Sequence, residues 1–506
     1  MGLTGRFAAA FAVSMWLCPA MAQDVSLIAR EGGIVLSGVL QGYDGEFYRI
    51  DTAYGMLTVD GQGVICEGPA CPDLSAPKAV IRLVGEAGPG LALLAPLFEA
   101  FAGHRGLIYA PGTDAPYRAT ILDPETRKPL AEISFAAMPP EAALTALAEG
   151  SADLKLSFLT DPDFGSQVVA TDALVAIVAP DNPTPEISTV KLAQILAGEV
   201  QNWAEVGGPD MPIVLHALMP GVEMQVAIAS RLGTPVVAAV LHPDQPSLAQ
   251  AVAKDPWAIA ITGRAAILPA RRIPLTDSCG FPLLPSTLAV KAEDYPLALP
   301  IYLLTPGRRL PLMTREFLEF LRTPAAQSAI SATGYFDRSA TRQPLTGDGL
   351  RLINAIQGAG ADITLDDLKR LVDLMDGADR LSLTFRFEGG TSTLDANSRD
   401  NLADLALLIA SGQFRNESMV LAGFSDGSGS ADANLALSVE RAAKVAQELA
   451  AVAPDLAPET LPAIIGFGEA LPMACDETAI GRQLNRRVEL WLVPDFTAPP
   501  ASTQTP

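Results

Sequence analysis

Apolar positions along the chain follow three different periods. From residue 24 to about 75 they come as short runs: Ile34-Val35-Leu36, then Phe47-Tyr48-Arg49-Ile50, then Met56-Leu57-Thr58-Val59. Gly42, Asp44-Gly45, Gly55 and Gly61 punctuate them, so residues 23–75 are expected to form a small meandering β unit. From 76 to 345 the pattern changes to α/β. Val80 to Gly85 reads as a buried strand and Leu91 to Phe101 as a helix; Ala152 to Ser157 and Ala173 to Val178 read as further strands, the last broken at Pro180-Asp181-Asn182-Pro183. Strands alternating with helices imply sheets covered by helices. From 381 to 494 the reading is β-α-β-α-β-β, an α+β fold. Leu381, Leu383, Phe385 and Phe387 share one strand face, Leu402, Leu405 and Ile409 one helix stripe, and Leu435, Ser438, Ala442, Val445 and Leu449 another. Between these regions, 346–380 is expected to be a linker with one helix, marked by Leu365, Leu368, Leu371 and Leu374. Residues 495–506 are Pro-, Thr- and Ala-rich and read as a disordered tail.

With 506 residues, a multidomain protein is expected. A formal charge of −22 argues against nucleic-acid binding, because polyanions would be repelled. Met1 to Ala22 has the layout of a secretory signal. Arg6 is the basic n-region, Phe7 to Leu17 the apolar core and Ala20-Met21-Ala22 the cleavage site, so the mature chain is expected to begin at Gln23 in the periplasm. The apolar core falls short of the ~20 residues a membrane span needs, and no later run is longer, so no transmembrane segment is expected in the mature chain. In an oxidising compartment Cys66 and Cys71 are the natural disulfide pair, since they lie close together in a Gly/Pro-rich turn. Cys279 and Cys475 are compatible with pairing across domains or with buried thiols. No metal site and no cofactor are expected, because no histidine stands near the paired cysteines.

Candidate chemistry is densest between 423 and 489. Gly423-Phe424-Ser425-Asp426-Gly427-Ser428-Gly429 forms a Gly/Ser loop, and Asn434 and Arg441 lie on the helix after it. Gly466-Phe467-Gly468-Glu469 and Asn485-Arg486-Arg487-Val488-Glu489 close the region. These pieces in this order resemble the OmpA-like peptidoglycan-binding domain. The resemblance implies an anchor for the meso-diaminopimelate side chain of the peptidoglycan stem peptide, with Asp426 and Arg441 as its charged ligands, Asn434 ordering the loop, and Arg486 or Arg487 close by. One ammonium and one carboxylate on a single carbon suit an acid and a guanidinium facing each other. Ser425 stands where the family often has Thr, and Phe424 where it often has His.

A second resemblance covers roughly residues 76–345. Leu192-Ala193-Gln194-Ile195-Leu196-Ala197-Gly198-Glu199-Val200-Gln201-Asn202-Trp203, Lys291 to Leu297 and Gly334-Tyr335-Phe336 are similar to periplasmic phosphate-binding proteins of ABC transporters. This implies two α/β lobes with a ligand cleft between them. The cleft candidates are Glu86, Asp153, Ser157 and His216. Asp153 matches the acidic position after the third strand, and Ser157 is a hydroxyl donor. Glu86 puts a negative charge where an anion would sit at a helix N-terminus. His216-Ala217-Leu218-Met219-Pro220-Gly221-Val222-Glu223 lacks the Arg and hydroxyls of a phosphate site and adds a carboxylate. His216 also reads as a hydrogen-bonded structural histidine. The combined expectation is a non-enzymatic periplasmic protein, associated with the cell wall or outer membrane. It would hold peptidoglycan through its last domain and carry a solute-binding-type domain with a small-molecule or protein ligand. A transport receptor for phosphate or another small oxyanion is the alternative.

Overall fold

The structure is a computed structural model and describes residues 24–30, 32–43, 47–61, 63–72, 79–113, 117–357, 363–388, 391 and 393–494. The export signal read over 1–22 and the tail read over 495–506 lie outside the described residues. The chain divides into two compact units, residues 1–79 with 310–318, and residues 80–309 with 319–506.

The first unit is an antiparallel sheet of five strands, Val25–Ala29, Val35–Tyr43, Phe47–Thr52, Gly55–Asp60 and Val64–Glu67. The first four run as a meander, and the fifth returns to pair with the first, placing Cys66 opposite Leu27. Burial alternates along Phe47–Thr52, with Tyr48 and Ile50 facing a core that also holds Val25, Leu27 and Leu40. Cys66 and Cys71 are disulfide-bonded with Cα atoms 5.6 Å apart. Such a staple suits a core this small. A segment from far along the chain completes the unit: Leu312 packs on the core and Arg315 Nη1 donates to the Leu40 carbonyl at 3.1 Å. The local reading of the sequence left that segment with the middle region.

The second unit contains two sheets that concern the sites. In one, the 14-residue strand Gly165–Val178 pairs with Ala298–Thr305 along its first part and with Ala258–Gly263 along its last. It therefore belongs to two lobes at once. One lobe holds the strands Ala79–Gly85, Pro129–Ala137 and Leu154–Ser157; the other holds Val214–Leu218, Val240–His242 and Ala258–Gly263. The helix Ala87–His104 follows the first strand of one lobe, and Glu223–Leu232 follows the first strand of the other. Ligands of open α/β sheets bind beyond such strand ends.

The second sheet runs in the order Arg342–Pro344, Asp379–Phe385, Arg487–Val493, Ser418–Phe424, Ala463–Gly466. One face packs Leu381, Leu383, Phe385 and Leu421 against Leu402, Leu405, Ala442, Val445 and Leu449 of the helices Ala396–Ala410 and Ala431–Val452. The latter helix buries Asn434, Ser438, Ala442, Val445 and Leu449. Leu435, expected in that stripe, is only half-buried, and Asn434 takes the position. The other face packs Val420, Phe424 and Trp491 against Ala355, Leu371 and Met375. Residues 349–357 and 365–375 thus form a second helical layer on this sheet; the sequence reading had a linker with one helix marked by Leu365 to Leu374, and a second helix joins it.

The two sheets of this unit are fastened to each other. Cys279 and Cys475 form a disulfide. Buried Asp277 accepts from the Cys475 amide at 2.9 Å, and Asp400 from the Val168 amide at 2.7 Å. Arg338 Nη2 pairs with Asp404 at 2.7 Å. Buried Asp294 is shared by Arg380 at 2.6 Å and Arg386 at 2.8 Å. No described helix is long and apolar enough to cross a membrane.

Candidate functional site

The loop after strand Ser418–Phe424 carries Asp426. Gly423 lets that strand end lie against the following helix, because any Cβ there would overlap the Ser438 carbonyl. Arg441, about three turns into that helix, is thereby turned back toward the loop and donates to the Phe424 carbonyl at 3.3 Å. Asp426 pairs with Arg486 Nη1 at 2.9 Å and accepts from the Ser428 amide at 3.0 Å. Burial alone would raise the Asp426 carboxyl, but the hydrogen bonds from Arg486 and Ser428 outweigh it and hold it below its usual range. Burial and the like charge of Arg486 push the Arg441 guanidinium down. Arg441 and Arg486 thus lie on either side of the Asp426 loop's charge, and among the described residues no carboxylate stands within ion-pairing distance of Arg441, although Asp426 and the neighbouring Glu440 both favour its charged form. Both arginines line an open cleft of about 810 Å³, together with Leu437, Gln483 and Glu388.

Asn434 is buried and donates to Glu469 at 3.0 Å, tying the loop region to the Gly466–Glu469 turn. Arg487 does not share the cleft. Strand alternation sends it to the other side of the sheet, where it is completely buried, pairs with Glu489 at 2.6 Å and lies 4.2 Å from the Phe424 ring centroid. Arg351 and Arg380 pair with the same Glu489, and the Trp491 indole donates to it at 2.9 Å.

The four residues expected in the lobe cleft separate. Ser157 and Glu86 meet there, but what they meet is a third residue. Glu223, the first residue of its helix, turns its carboxylate inward and is 2% exposed. It accepts from Lys155 Nζ at 2.6 Å, Ser157 Oγ at 2.8 Å and the Phe158 amide at 2.8 Å. Its own amide donates to Glu86 Oε1 at 2.7 Å. An ammonium, a hydroxyl and a backbone N–H converging at a strand end are a donor set for an anion. Here the anion is the chain's own side chain, and it bridges the lobes. Burial and the Glu223 charge push Glu86 up to about 7.

Asp153 lies at the opposite end of the strand Leu154–Ser157, roughly 13 Å away at ~3.3 Å per residue. It takes two bonds from the Arg82 side chain, both 3.1 Å, and one from Arg308 at 2.9 Å. Burial alone would raise it, and these arginines more than offset that. It is a structural ion pair. His216 also leaves the cleft set. Its Nδ1 lies 3.0 Å from His242 Nε2 and the two rings stack. Burial and His242 lower its affinity for a proton, against the opposing pull of Asp255. The parallel pairing of Val214–Leu218 with Val240–His242 brings the histidines together, and sequence spacing gave no sign of it. Lys155 was also overlooked, although a lysine inside an otherwise apolar strand calls for a buried partner.

A two-lobed binding-protein fold and an α+β sheet presenting a charged cleft define a protein built from two binding-type domains. Comparison with known proteins gives these domains families. Residues 115–324 match the PBP superfamily domain and residues 386–486 match the OmpA family. The chain carries both domains, and both families imply a place in the periplasm or cell envelope. It is 36% identical over 110 residues to Outer membrane porin F of Pseudomonas fluorescens, covering 22% of this chain and 32% of that one. Over 46 residues it is 50% identical to Phosphate-binding protein PstS of Borreliella burgdorferi, covering 9% of this chain and 16% of the relative. The chain thus spans less than a third of the length of either. An ABC-type phosphate transport receptor from Vibrio cholerae overlays on 51% of this chain and 99% of its own, with a TM-score of 0.40 and 19% identity.

Proposed function

We propose that this protein is a non-enzymatic, exported wall-binding protein that holds peptidoglycan through its OmpA family domain. The observation that carries this is the pair of guanidiniums beside Asp426: Asp426 is matched by Arg486, and among the described residues Arg441 has no carboxylate within ion-pairing distance. An incoming carboxylate supplies what Arg441 lacks, and an ammonium on the same carbon is drawn to Asp426. The side chain of meso-diaminopimelate has that charge pattern. Export through residues 1–22 brings the chain to the wall. The PBP superfamily domain serves as a body held closed, not as a phosphate receptor, because its inward donors are spent on Glu223.

The test is co-sedimentation with purified diaminopimelate-type peptidoglycan. Wild type is expected in the pellet, and Asp426→Ala, Arg441→Ala and Arg486→Ala in the supernatant. Wild-type protein left in solution, or variants that pellet as well as wild type, would overturn the reading.

A further inference from the structure

The residues beside the Asp426–Arg486 pair share an anchor. Gly427 follows Asp426, and Asn485 precedes Arg486. Both are held by the side chain of Asp476: its Oδ2 accepts from the Gly427 amide at 2.7 Å, and its Oδ1 from Asn485 Nδ2 at 2.7 Å. The surroundings are built for this double contact. A Cβ on Gly427 would come within 2.8 Å of Asp476 Oδ2, so glycine lets the carboxylate reach the amide. Asn485 is 1% exposed and is itself fixed. Its Oδ1 accepts from the Met473 and Ala474 amides at 2.6 and 3.1 Å, and its Nδ2 also donates to the Ala474 carbonyl at 2.7 Å. The Asp476 carbonyl accepts from Arg482 Nη1 at 2.6 Å, which steadies the main chain that carries the carboxylate. Helix capping does not account for Asp476, because the helix Ala479–Asn485 is capped by the Thr478 side chain on the Gly481 amide. Neither bond of the carboxylate passes through the Cys279–Cys475 bridge beside it.

The Asp426–Arg486 pair is partly exposed, and such a pair is too weak to fix its own spacing. Hydrogen bonds to a carboxylate are stronger and more directional. We infer that Asp476 is a positioning residue of the wall site: by holding Gly427 and Asn485 at once, it sets the distance between the acid and the guanidinium that receive a zwitterion. The inference rests on the wall-binding reading, and Asp476 acts through its two neighbours, not on the ligand. A lone carboxylate needs only a guanidinium, which can swing to meet it. An ammonium and a carboxylate on one carbon need both partners at a set spacing. The clamp therefore governs the preference for a zwitterion over a simple diacid.

Calorimetry with two ligands tests it: free meso-diaminopimelate, and pimelate, the same diacid chain without its ammonium groups. Wild type is expected to prefer meso-diaminopimelate by about ten-fold or more, the equivalent of one charge-assisted hydrogen bond. Asp476→Ala is expected to erase that preference while leaving the affinity for pimelate within about two-fold of wild type. Asp476→Asn has the same shape but keeps only one acceptor oxygen. It is expected to retain a preference of about three-fold, and it carries the test where the alanine variant does not fold. A purely structural Asp476 would weaken both ligands alike or neither. A full preference in either variant, an equal loss of both ligands, or equal affinity of wild type for the two would overturn the clamp while leaving the wall-binding reading intact. Failure of wild type to bind either ligand overturns both.

Discussion

The cluster at the end of strand Leu154–Ser157 and the cluster beyond strand Ser418–Phe424 use the same parts: a strand end, a following helix, carboxylates and cations. They reach opposite states. In the lobe cleft, Lys155, Ser157 and the Phe158 amide close on Glu223, and the side chains of Lys155 and Glu223 are 2% and 3% exposed. In the other, Asp426 and Arg486 stay 11% and 34% exposed, and Arg441 beside them makes no ion pair among the described residues. A donor set filled from within stabilises the fold; one left with unmatched charge at an open cleft is available to a ligand. Net charge and access separate the two, and neither follows from fold family.

The sharpest way to break this contrast is to remove one carboxylate from each cluster. Glu223→Ala strands a buried ammonium and hydroxyl, and removing one partner of a buried pair costs about 3–5 kcal/mol. Thermal unfolding should show a correspondingly large loss, partly restored by tens of millimolar phosphate or acetate occupying the vacated space. Wild type should show no such rescue, since its donors are already occupied. A Glu223→Ala protein as stable as wild type would remove the idea of an internal ligand.

The fold was legible because long-range architecture leaves local traces. The apolar runs at Val80–Gly85 and Ala173–Val178, and the alternation of Leu381, Leu383 and Phe385, gave the strands and their faces. The Asp426 loop and Arg441 were legible because a motif fixes their spacing. The rest depended on tertiary partners. Nothing local distinguishes Arg486 from Arg487 except alternation, and the choice of face is made by Glu489 and Trp491. Asp153 was read as a cleft acid because its claim on Arg82 and Arg308 crosses 71 and 155 residues. Glu223 was seen as a charge unfavourable to phosphate, but its role as the bound anion needed the donors Lys155 and Ser157, 68 and 66 residues away.

A second, smaller effect concerns the tie between the regions. Cys279 and Cys475 close a loop across 196 residues of sequence, and removing a bridge of this kind typically costs about 2–4 kcal/mol. Cys279→Ser with Cys475→Ser should lower the melting temperature while leaving co-sedimentation with peptidoglycan unchanged, since neither the Asp426 loop nor the cleft of Arg441 and Arg486 draws a residue from the bridge. Loss of wall binding in the double variant would show that cleft geometry depends on the fastening.

The lobe cluster also carries a pH signature near neutrality, whereas that of the other lies in acid. Glu86 is raised to about 7 in the folded chain from an ordinary value near 4.5. Its contribution is fully present below pH ~4.5 and is lost as pH rises through about 7, where burial beside Glu223 penalises the charge. The expected difference between wild type and Glu86→Gln is about 1–3 kcal/mol across that window, with Glu86→Gln the flatter of the two. Asp172, which burial pushes up to about 6, titrates in the same range in both proteins and cancels in the comparison. Parallel stability profiles would mean that Glu86 does not sense its neighbour.

The smallest expected stability change lies at the site with the largest expected functional one. The Asp426–Arg486 pair is partly exposed, and such pairs contribute about 0–1 kcal/mol. Asp426→Ala should therefore unfold within a few degrees of wild type while failing to sediment with peptidoglycan. Asp426 lies below its usual carboxylate range, because Arg486 and Ser428 outweigh burial. The pair's modest stabilisation is thus present above the ordinary carboxylate range and is lost as pH falls through the depressed value. Wall binding should follow the same direction, failing in acid while persisting at neutral pH. Arg487→Ala should reverse the pattern, with a large loss of stability because Glu489 loses a buried partner. Its effect on sedimentation should be only what partial unfolding brings. If Asp426→Ala proves as destabilising as Arg487→Ala, both positions are structural and the contrast between a filled and an open cluster disappears.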